Sequence, residues 1–340
     1  MSPRSAALAA GLLCLANPLT AQDSLLTELA HRFRSRPLSL GALLQVVGDY
    51  QHNDRASGVN GFRVTNFRLK LFGELDGGYG YLLQTNFAAG PAILDAELHY
   101  RVADALVVQG GQFKAPFSRE LLTGAGDLDF IDRSRVVTAL APGRQLGVEA
   151  HGRLVRGQVD YAIGAFNGNG IGVGANDDGR LLGAARLGWW PLGIESTAVR
   201  HLELGANIAY SRDTDVSLGP LAASFQGQRT VWGADVRFTD RCWLLAGEVV
   251  GARLASLNSG TAQPWGWQAT AGFKPTPRLQ LLTRWDALRS DGLSPDGDLL
   301  VFGLRAWPTG AVQFRLDDLI DVDHPEPARH RVQASAQLGI

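Results

Sequence analysis

The sequence predicts an all-β protein, a transmembrane antiparallel β-barrel of about 16 strands that occupies residues 39–340. Within this range, short segments of alternating hydrophobicity are separated by gaps that are themselves alternately short and long. A closed barrel that crosses a membrane produces this parity, because its tight turns lie on one side and its long loops on the other. A soluble β-sandwich has no reason to keep such parity.

The best segments show a period of two along the chain. Phe67, Leu69 and Leu71 alternate with Arg68 and Lys70. Successive side chains of a strand point to opposite faces, so one face is apolar and the other is charged. An apolar outer face suits hydrocarbon, and a charged inner face predicts a water-filled pore.

The strands follow one another along the chain, and an even number of them places both ends of the barrel on the periplasmic side. The pattern is weakest in the fifth and eighth segments. The predicted strand cores are 39–50, 62–76, 79–88, 93–101, 106–113, 145–153, 158–166, 181–190, 202–212, 228–238, 242–252, 266–274, 278–287, 299–307, 311–317 and 331–340.

The gaps after even-numbered strands are tight, except for 191–201, and the gaps after odd-numbered strands are long, except for 89–92. The longest gap, 114–144, is expected to fold into the pore and narrow it. Tryptophans at predicted strand ends are expected to face lipid at the membrane interfaces. Trp189 and Trp243 would mark the periplasmic interface, and Trp267 and Trp285 the outer one.

The N-terminal residues 1–21 have the charge, apolar stretch and small cleavage-site residue of a secretory signal peptide. Residues 22–38 are expected to form a periplasmic lead, either a short helical plug or a tail. Removal of the signal leaves Cys242 as the single cysteine, so no intramolecular disulfide is expected. The remaining charge is close to neutral and forms no basic block, so no nucleic-acid partner is predicted.

Motifs of catalysis are missing from the sequence. There is no H-E-x-x-H, G-x-S-x-G or phosphate-binding P-loop, and the G-x-G-x-x-A at 170–175 lies in a loop with no helix after it. We therefore predict that the protein is not an enzyme and needs neither a cofactor nor a metal. An outer-membrane barrel hydrolase and a plugged structural barrel stay open as less favoured alternatives.

Several ordered blocks of the chain match motifs of one known family. They are FRLKLFG at 67–73, GQFKAPFSRE at 111–120, DFIDRS at 129–134, APGRQLGV at 141–148 and FNGNG at 166–170. The second of these blocks is similar to the G-x-F-K-x-P-F-S block, and the last to the F-N-G-x-G segment, of the phosphate-selective porin O and P family. The two blocks between them resemble the family's intervening blocks, and the first resembles its second-strand pattern.

The resemblance implies a bacterial outer-membrane channel, in most members a homotrimer, that passes small anions such as phosphate through a basic constriction. Two features depart from the family. The last residue is Ile340 instead of an aromatic residue, and inward-facing acids roughly cancel the inward-facing bases. A general small-solute porin without phosphate selectivity therefore remains the alternative.

The expected anion-binding residues are positively charged and lie on the longest loop or on the wall that faces it. The alternative for each of them is a salt bridge that stiffens the barrel. They are Lys114, Arg133, Arg135, Arg68, Lys70 and Arg101.

Overall fold

The structure is a computed structural model that describes residues 37–51, 60–172, 174–176, 178–192, 200–219, 221–294, 296–323 and 330–340. The predicted signal peptide (1–21) and all but the last two residues of the predicted lead (22–38) lie outside the described residues. Among the described residues, no helix is long and apolar enough to cross a membrane.

Nearly the whole described chain forms one antiparallel sheet. Its strand segments are β1 (Ser39–Gln51), β2 (Gly61–Glu74), β3 (Tyr79–Asn86), β4 (Ala92–Ala103), β5 (Leu106–Lys114), β6 (Arg144–Leu154), β7 (Val159–Phe166), β8 (Leu182–Trp189), β9 (His201–Val216), β10 (Phe225–Thr239), β11 (Trp243–Ser256), β12 (Gly260–Ala262), β13 (Trp265–Thr276), β14 (Leu279–Arg289), β15 (Gly297–Ala306), β16 (Val312–Asp321) and β17 (Arg331–Gly339).

Two of these segments, β12 and β13, belong to one barrel strand. Both pair with β11, and only Gln263 and Pro264 separate them. Proline has no N–H to donate to a ladder, so the strand is interrupted there, although the Pro264 carbonyl still accepts from the Ala252 N–H at 2.8 Å. The barrel therefore has 16 strands, as the sequence predicts.

The sheet closes on itself because β1 pairs with both β2 and β17. The closing register runs from Leu43 opposite Gly339 to Gln51 opposite Arg331. Closure gives every strand two neighbours, which satisfies the backbone N–H and C=O groups that hydrocarbon cannot hydrate.

The barrel is apolar outside and polar inside. On β2, for example, Phe67 is 45% exposed, whereas the neighbouring Asn66 is 7% exposed. Charged side chains such as Arg315 and Asp317 are buried in the interior, while Leu316 between them is exposed. The tryptophans expected to face lipid at 189, 243 and 267 are at least 36% exposed. This distribution is the inverse of that in a soluble domain and fits a barrel in lipid.

The strand predictions are confirmed, including the two weakly patterned segments. The main difference lies at the long-loop end, where β9 and β10 extend into the predicted loop 213–227 and β11 and β12 into 253–265. Between β5 and β6 the chain forms two short helices, α1 (Arg119–Leu122) and α2 (Arg135–Leu140). We call residues 115–143 the inner segment.

Candidate pore and anion-binding site

The strand that leads into the inner segment, β5, makes a glycine-dependent contact with β4. Gly111 has φ 135°, and a Cβ atom there would lie 2.0 Å from the Ala96 carbonyl oxygen. Only glycine fits such a close approach of two backbones. This explains the glycine at the start of the block GQFKAPFSRE, whose later residues turn from the strand into the inner segment.

Glu120 holds the inner segment in its folded shape. The carboxylate of Glu120 accepts hydrogen bonds from the backbone N–H of Ser134 at 3.1 Å and from the Ser134 hydroxyl. The guanidinium of Arg284, on β14, lies 3.5 Å from the same carboxylate. Burial raises the pKa of Glu120 above its ordinary value, although Arg284 and Ser134 act in the opposite direction. Glu120 therefore links α1 to the residue before α2 and connects both to β14.

Other contacts of the inner segment reach strands on one side of the barrel. The Ile131 N–H donates to Asp317 on β16 at 2.7 Å, and the Arg135 N–H donates to Asp286 on β14 at 2.9 Å. Buried apolar side chains of α2, including Val136, pack close to Gly266 on β13. We call the inner faces of β9 to β16 the covered wall.

Asp129 is the acidic centre of these contacts. Its carboxylate accepts from Arg237 at 2.5 and 3.1 Å and lies 3.3 Å from Arg305. Burial alone would raise the pKa of Asp129, but the hydrogen bond and charge of Arg237, together with Arg305, outweigh burial and lower it. Asp129, Arg237 and Arg305 thus compensate one another on the covered wall.

The opposite side of the interior is open. A cavity of about 1010 Å³ is lined by Arg68 and Lys70 of β2, Asp95 of β4, Lys114 of β5 and Arg144 of β6. We call the inner faces of β2 to β6 the open wall. A second cavity of about 920 Å³ lies towards the short-turn end. Both cavities are lined by Glu97, Gln109, Glu149, Asp160 and Ala162, so they adjoin there, and we call the two cavities together the path.

Three of the six predicted site residues, Arg68, Lys70 and Lys114, line this path together, and Arg133 shares a carbonyl partner with Lys114 but lines neither cavity. Lys114 donates to the carbonyls of Leu122 and Thr123 at 3.0 and 2.9 Å. Arg133 donates to the Thr123 carbonyl at 2.7 Å and to that of Glu120 at 3.0 Å. Burial lowers the pKa of Arg133, Glu120 opposes this, and the nearby charge of Arg144 adds to it.

Arg68 and Lys70 are the other two members of this group. The Nε of Arg68 is buried without a hydrogen-bond partner among the described residues. The ammonium of Lys70 lies 4.7 Å from the centroid of the Phe72 ring, a cation–π distance. Neither side chain forms a salt bridge with a described residue.

The other two predicted residues lie apart from this group. Arg101 lines the second cavity, near the short-turn end, and lies 3.8 Å from Asp104. Arg135 binds the covered wall, where its guanidinium donates to the carbonyls of Asp286, at 2.9 Å, and Gly297. The structure therefore does not bring these two arginines to the cluster at Lys114.

Three residues of the path were not selected from the sequence. Arg144 forms a two-pronged contact with Asp95 at 2.8 and 3.0 Å. Glu97 and Glu149 line both cavities. The block APGRQLGV pointed to Arg144, and strand parity placed both glutamates inward, but parity gives no height along the barrel. Among the described residues, no group of His, Cys, Asp or Glu side chains is arranged to hold a metal ion.

A closed barrel with an apolar exterior and charged interior cavities is typical of a membrane channel of the porin class. The family model of the phosphate-selective porins O and P matches residues 43–284, well over half of the chain. The chain therefore belongs to the phosphate-selective porin O and P family, and its place is the bacterial outer membrane.

Solved structures show the same fold at low sequence identity. The anion-selective porin from Comamonas acidovorans matches with a TM-score of 0.65 and 12% identity, covering 89% of this chain and 99% of that one. OprB of Pseudomonas putida gives 0.62 and 12%, covering 92% and 96%. The trimer form of OmpT from Vibrio cholerae gives 0.62 and 8%, covering 89% and 99%. No curated protein sequence gives a significant match.

Proposed function

We propose that the protein is a passive diffusion channel for small anions such as phosphate, and that the inner segment narrows its pore. The observation that carries this proposal is the set of cations on the open wall. Arg68, Lys70 and Lys114 line the large cavity, and none of them has a carboxylate partner among the described residues. Uncompensated cations attract anions into a narrow, partly buried path.

The chemistry of these groups suits oxyanions. An arginine guanidinium binds carboxylate or phosphate oxygens through two parallel N–H donors, whereas a lysine acts as a point charge. Charges farther than about 8 Å are screened at physiological salt, so only groups near the solute contribute to selection. Arg133 and Arg144 are the strongest charged neighbours of both Arg68 and Lys114, so these cations share one local field.

A general small-solute porin without phosphate selectivity is the second candidate. The acids Glu97 and Glu149 line the same path and favour it. The two candidates differ in the degree of anion selectivity, since a general pore with balanced charge has little preference.

The first experiment is reconstitution of the purified mature protein in a planar bilayer. Reversal potential is measured in a potassium chloride gradient, and phosphate is then added. Anion-selective current that phosphate reduces supports the proposal. Cation-selective or unselective current that phosphate leaves unchanged overturns anion selection and keeps the pore. Absence of current overturns the channel itself and favours a plugged or enzymatic barrel.

The variant Lys114→Gln tests the site. Loss of one cation in the path is expected to lower the anion-to-cation permeability ratio by about threefold, the equivalent of roughly 0.7 kcal/mol. Lys274→Gln is the matched control, because Lys274 lies at the end of β13 and does not line the large cavity. Equal effects of both variants would contradict a site at Lys114.

We also propose that the protein is a homotrimer surrounded by outer-membrane lipid, and that residues 1–21 are removed on export. Exposed tryptophans lie on β8, β10, β11 and β13, whereas small residues Gly48, Ala334 and Ala336 occupy the outer faces of β1 and β17. Small residues allow close approach of two membrane surfaces. Ala334→Arg is expected to convert the trimer to monomers in native mass spectrometry, and an unchanged trimer would place the interface elsewhere.

A further inference from the structure

We infer that the pore selects zwitterionic organic solutes, with one acidic and one cationic group, over simple anions of the same size. The inference rests on the proposed channel function and names the solute class of the same path. Its basis is a pair of oppositely charged belts that follow one another along the open wall and the adjoining strand β7.

The cationic belt consists of Arg68, Lys70 and Lys114. All three line the large cavity and lack a carboxylate partner among the described residues. Arg144 lies beside them, but its charge is compensated by Asp95 at 2.8 Å. The belt therefore keeps a net positive charge.

The acidic belt consists of Glu97, Glu149 and Asp160, which line both cavities. Glu149 accepts from the Gln109 amide at 3.1 Å, and Asp160 accepts from the Trp190 indole N–H at 2.6 Å.

Neutral donors orient these carboxylates without cancelling their charge. The carboxylate of Glu97 has no hydrogen bond or salt bridge to a described residue. His151, 3.1 Å from Glu149, compensates that carboxylate only when it is protonated.

Strand register gives the order of the belts. Lys114 pairs with Arg144 at the long-loop end of β5 and β6, and Gln109 pairs with Glu149 on the same two strands. Glu149, opposite Gln109, is five positions from Lys114, about 16 Å along a strand at roughly 3.3 Å per residue. Glu97 is opposite Gly111, three positions and about 10 Å from Lys114. Lys70 lies nearer the boundary, because it pairs with Gln84, whose partner Asp95 is two positions from Glu97.

This order has a consequence for solutes. From Lys114 to either glutamate the spacing exceeds the screening length of about 8 Å, so a solute meets the positive field at Lys114 before the negative field of the acidic belt. A simple anion is attracted by the first belt and repelled by the second. A zwitterion whose two charges match the spacing from Lys114 to Glu97 can keep its acidic group at the cationic belt while its cationic group reaches the acidic belt.

The test compares three probes of similar length as blockers of potassium chloride current through the reconstituted protein: 6-aminohexanoate, hexanoate and hexylammonium. We expect 6-aminohexanoate to reduce the current at a concentration about threefold lower than hexanoate, the size of one added exposed charge contact. Hexylammonium is expected to be the weakest blocker from the long-loop side, because it meets the cationic belt first.

Two variants assign the effect to the belts. Glu97→Gln combined with Glu149→Gln keeps side-chain shape and is expected to bring the half-blocking concentration of 6-aminohexanoate to that of hexanoate. Asp76→Asn removes an acid from the turn between β2 and β3 and is the matched control. Both proteins must first show chloride current and β-sheet circular dichroism.

The outcomes separate the two proposals. Equal block by 6-aminohexanoate and hexanoate in the unmodified protein, or an unchanged ratio in the double variant, overturns the zwitterion inference while chloride selectivity still supports the channel. Absence of current in the unmodified protein overturns the proposed function instead.

Discussion

The covered wall and the open wall of the barrel interior carry similar residue types but compensate them differently. On the covered wall, arginines such as Arg237 and Arg284 contact carboxylates of the inner segment at 2.5 and 3.5 Å. On the open wall, Arg68 and Lys70 face a water-accessible cavity without such partners. The comparison indicates that an arginine inside this barrel has a carboxylate partner where the inner segment covers it and lacks one where the interior is open.

The physical reason is desolvation. A buried charge that loses its partner is strongly unfavourable, whereas a charge beside water is hydrated by water and screened by dissolved ions. The covered wall thus stabilises the inner segment, and the open wall is free to act on solutes. Four predictions test or refine this difference.

The largest expected effect is on stability at the covered wall. Arg284 is 3% exposed and contacts Glu120, Asp286 and the Phe130 ring. Arg284→Ala removes the salt-bridge partner of Glu120, whereas Asp286 keeps its contact with Arg135, and the variant is expected to lower the free energy of unfolding by about 3–5 kcal/mol. Urea unfolding in detergent, followed by tryptophan fluorescence, measures it.

The matched variant on the open wall is Arg68→Ala. It is expected to change the same free energy by less than about 1 kcal/mol. Similar losses in both variants would show that the two walls do not differ.

The second expected effect is on the fluctuations of the inner segment. Glu120→Ala removes the acceptor that joins Ser134 and Arg284, with a loss of about 2 kcal/mol of docking free energy. Brief high-conductance events should then become roughly thirtyfold more frequent in single-channel recordings. Asp127→Asn, an exposed acid of the same segment, is the control, and a quiet Glu120→Ala channel would argue against this anchor.

The third expected effect is on pH dependence. The pKa of Glu120 is raised above its ordinary 4.5 by burial, so protonation favours the docked segment, and docking strengthens as the pH falls through that raised pKa. A protonated glutamate resembles glutamine. As the pH is lowered, the conductance difference between the unmodified protein and Glu120→Gln should therefore vanish before pH 4.5 is reached. A difference that persists below pH 4.5 would contradict the raised pKa.

The smallest expected effect is at Arg101. Its side chain is half exposed and lies beside Asp104 at the short-turn end, away from the cationic belt. Arg101→Gln is expected to shift the reversal potential less than Lys114→Gln does, because salt screens it from the narrow part of the path. An equal shift would extend the selective region to that end.

The strands of the fold were predictable because each repeats the same short-range signal. Alternation identifies the face of every residue, and turn lengths identify the two ends. The extension of β9 to Val216 was not predictable, since polar residues such as Arg212 and Asp213 read equally as a loop or as an extramembrane strand. Asp213 is paired inside the barrel with Arg229 at 2.7 Å, a contact between two strands.

The candidate site was predictable only in part. Strand parity correctly turned Arg68, Lys70 and Arg101 inward, but it gives no height, and Arg101 lies at the other end of the path. Within the inner segment, Arg133 and Arg135 are two residues apart, yet the start of α2 sends one to the Thr123 carbonyl and the other to Asp286. Such directions depend on tertiary contacts that no local pattern contains.

The seam between β1 and β17 has a consequence for assembly. Ala42 exchanges two backbone hydrogen bonds with Ile340, at 3.0 and 3.1 Å, across almost the whole length of the chain. Pairing of such distant segments carries a high contact order and slows folding. Until the seam closes, two strand edges have no partner and cannot enter hydrocarbon. Membrane insertion and seam closure are therefore expected to be one concerted event, with no stable inserted intermediate that lacks the last strand.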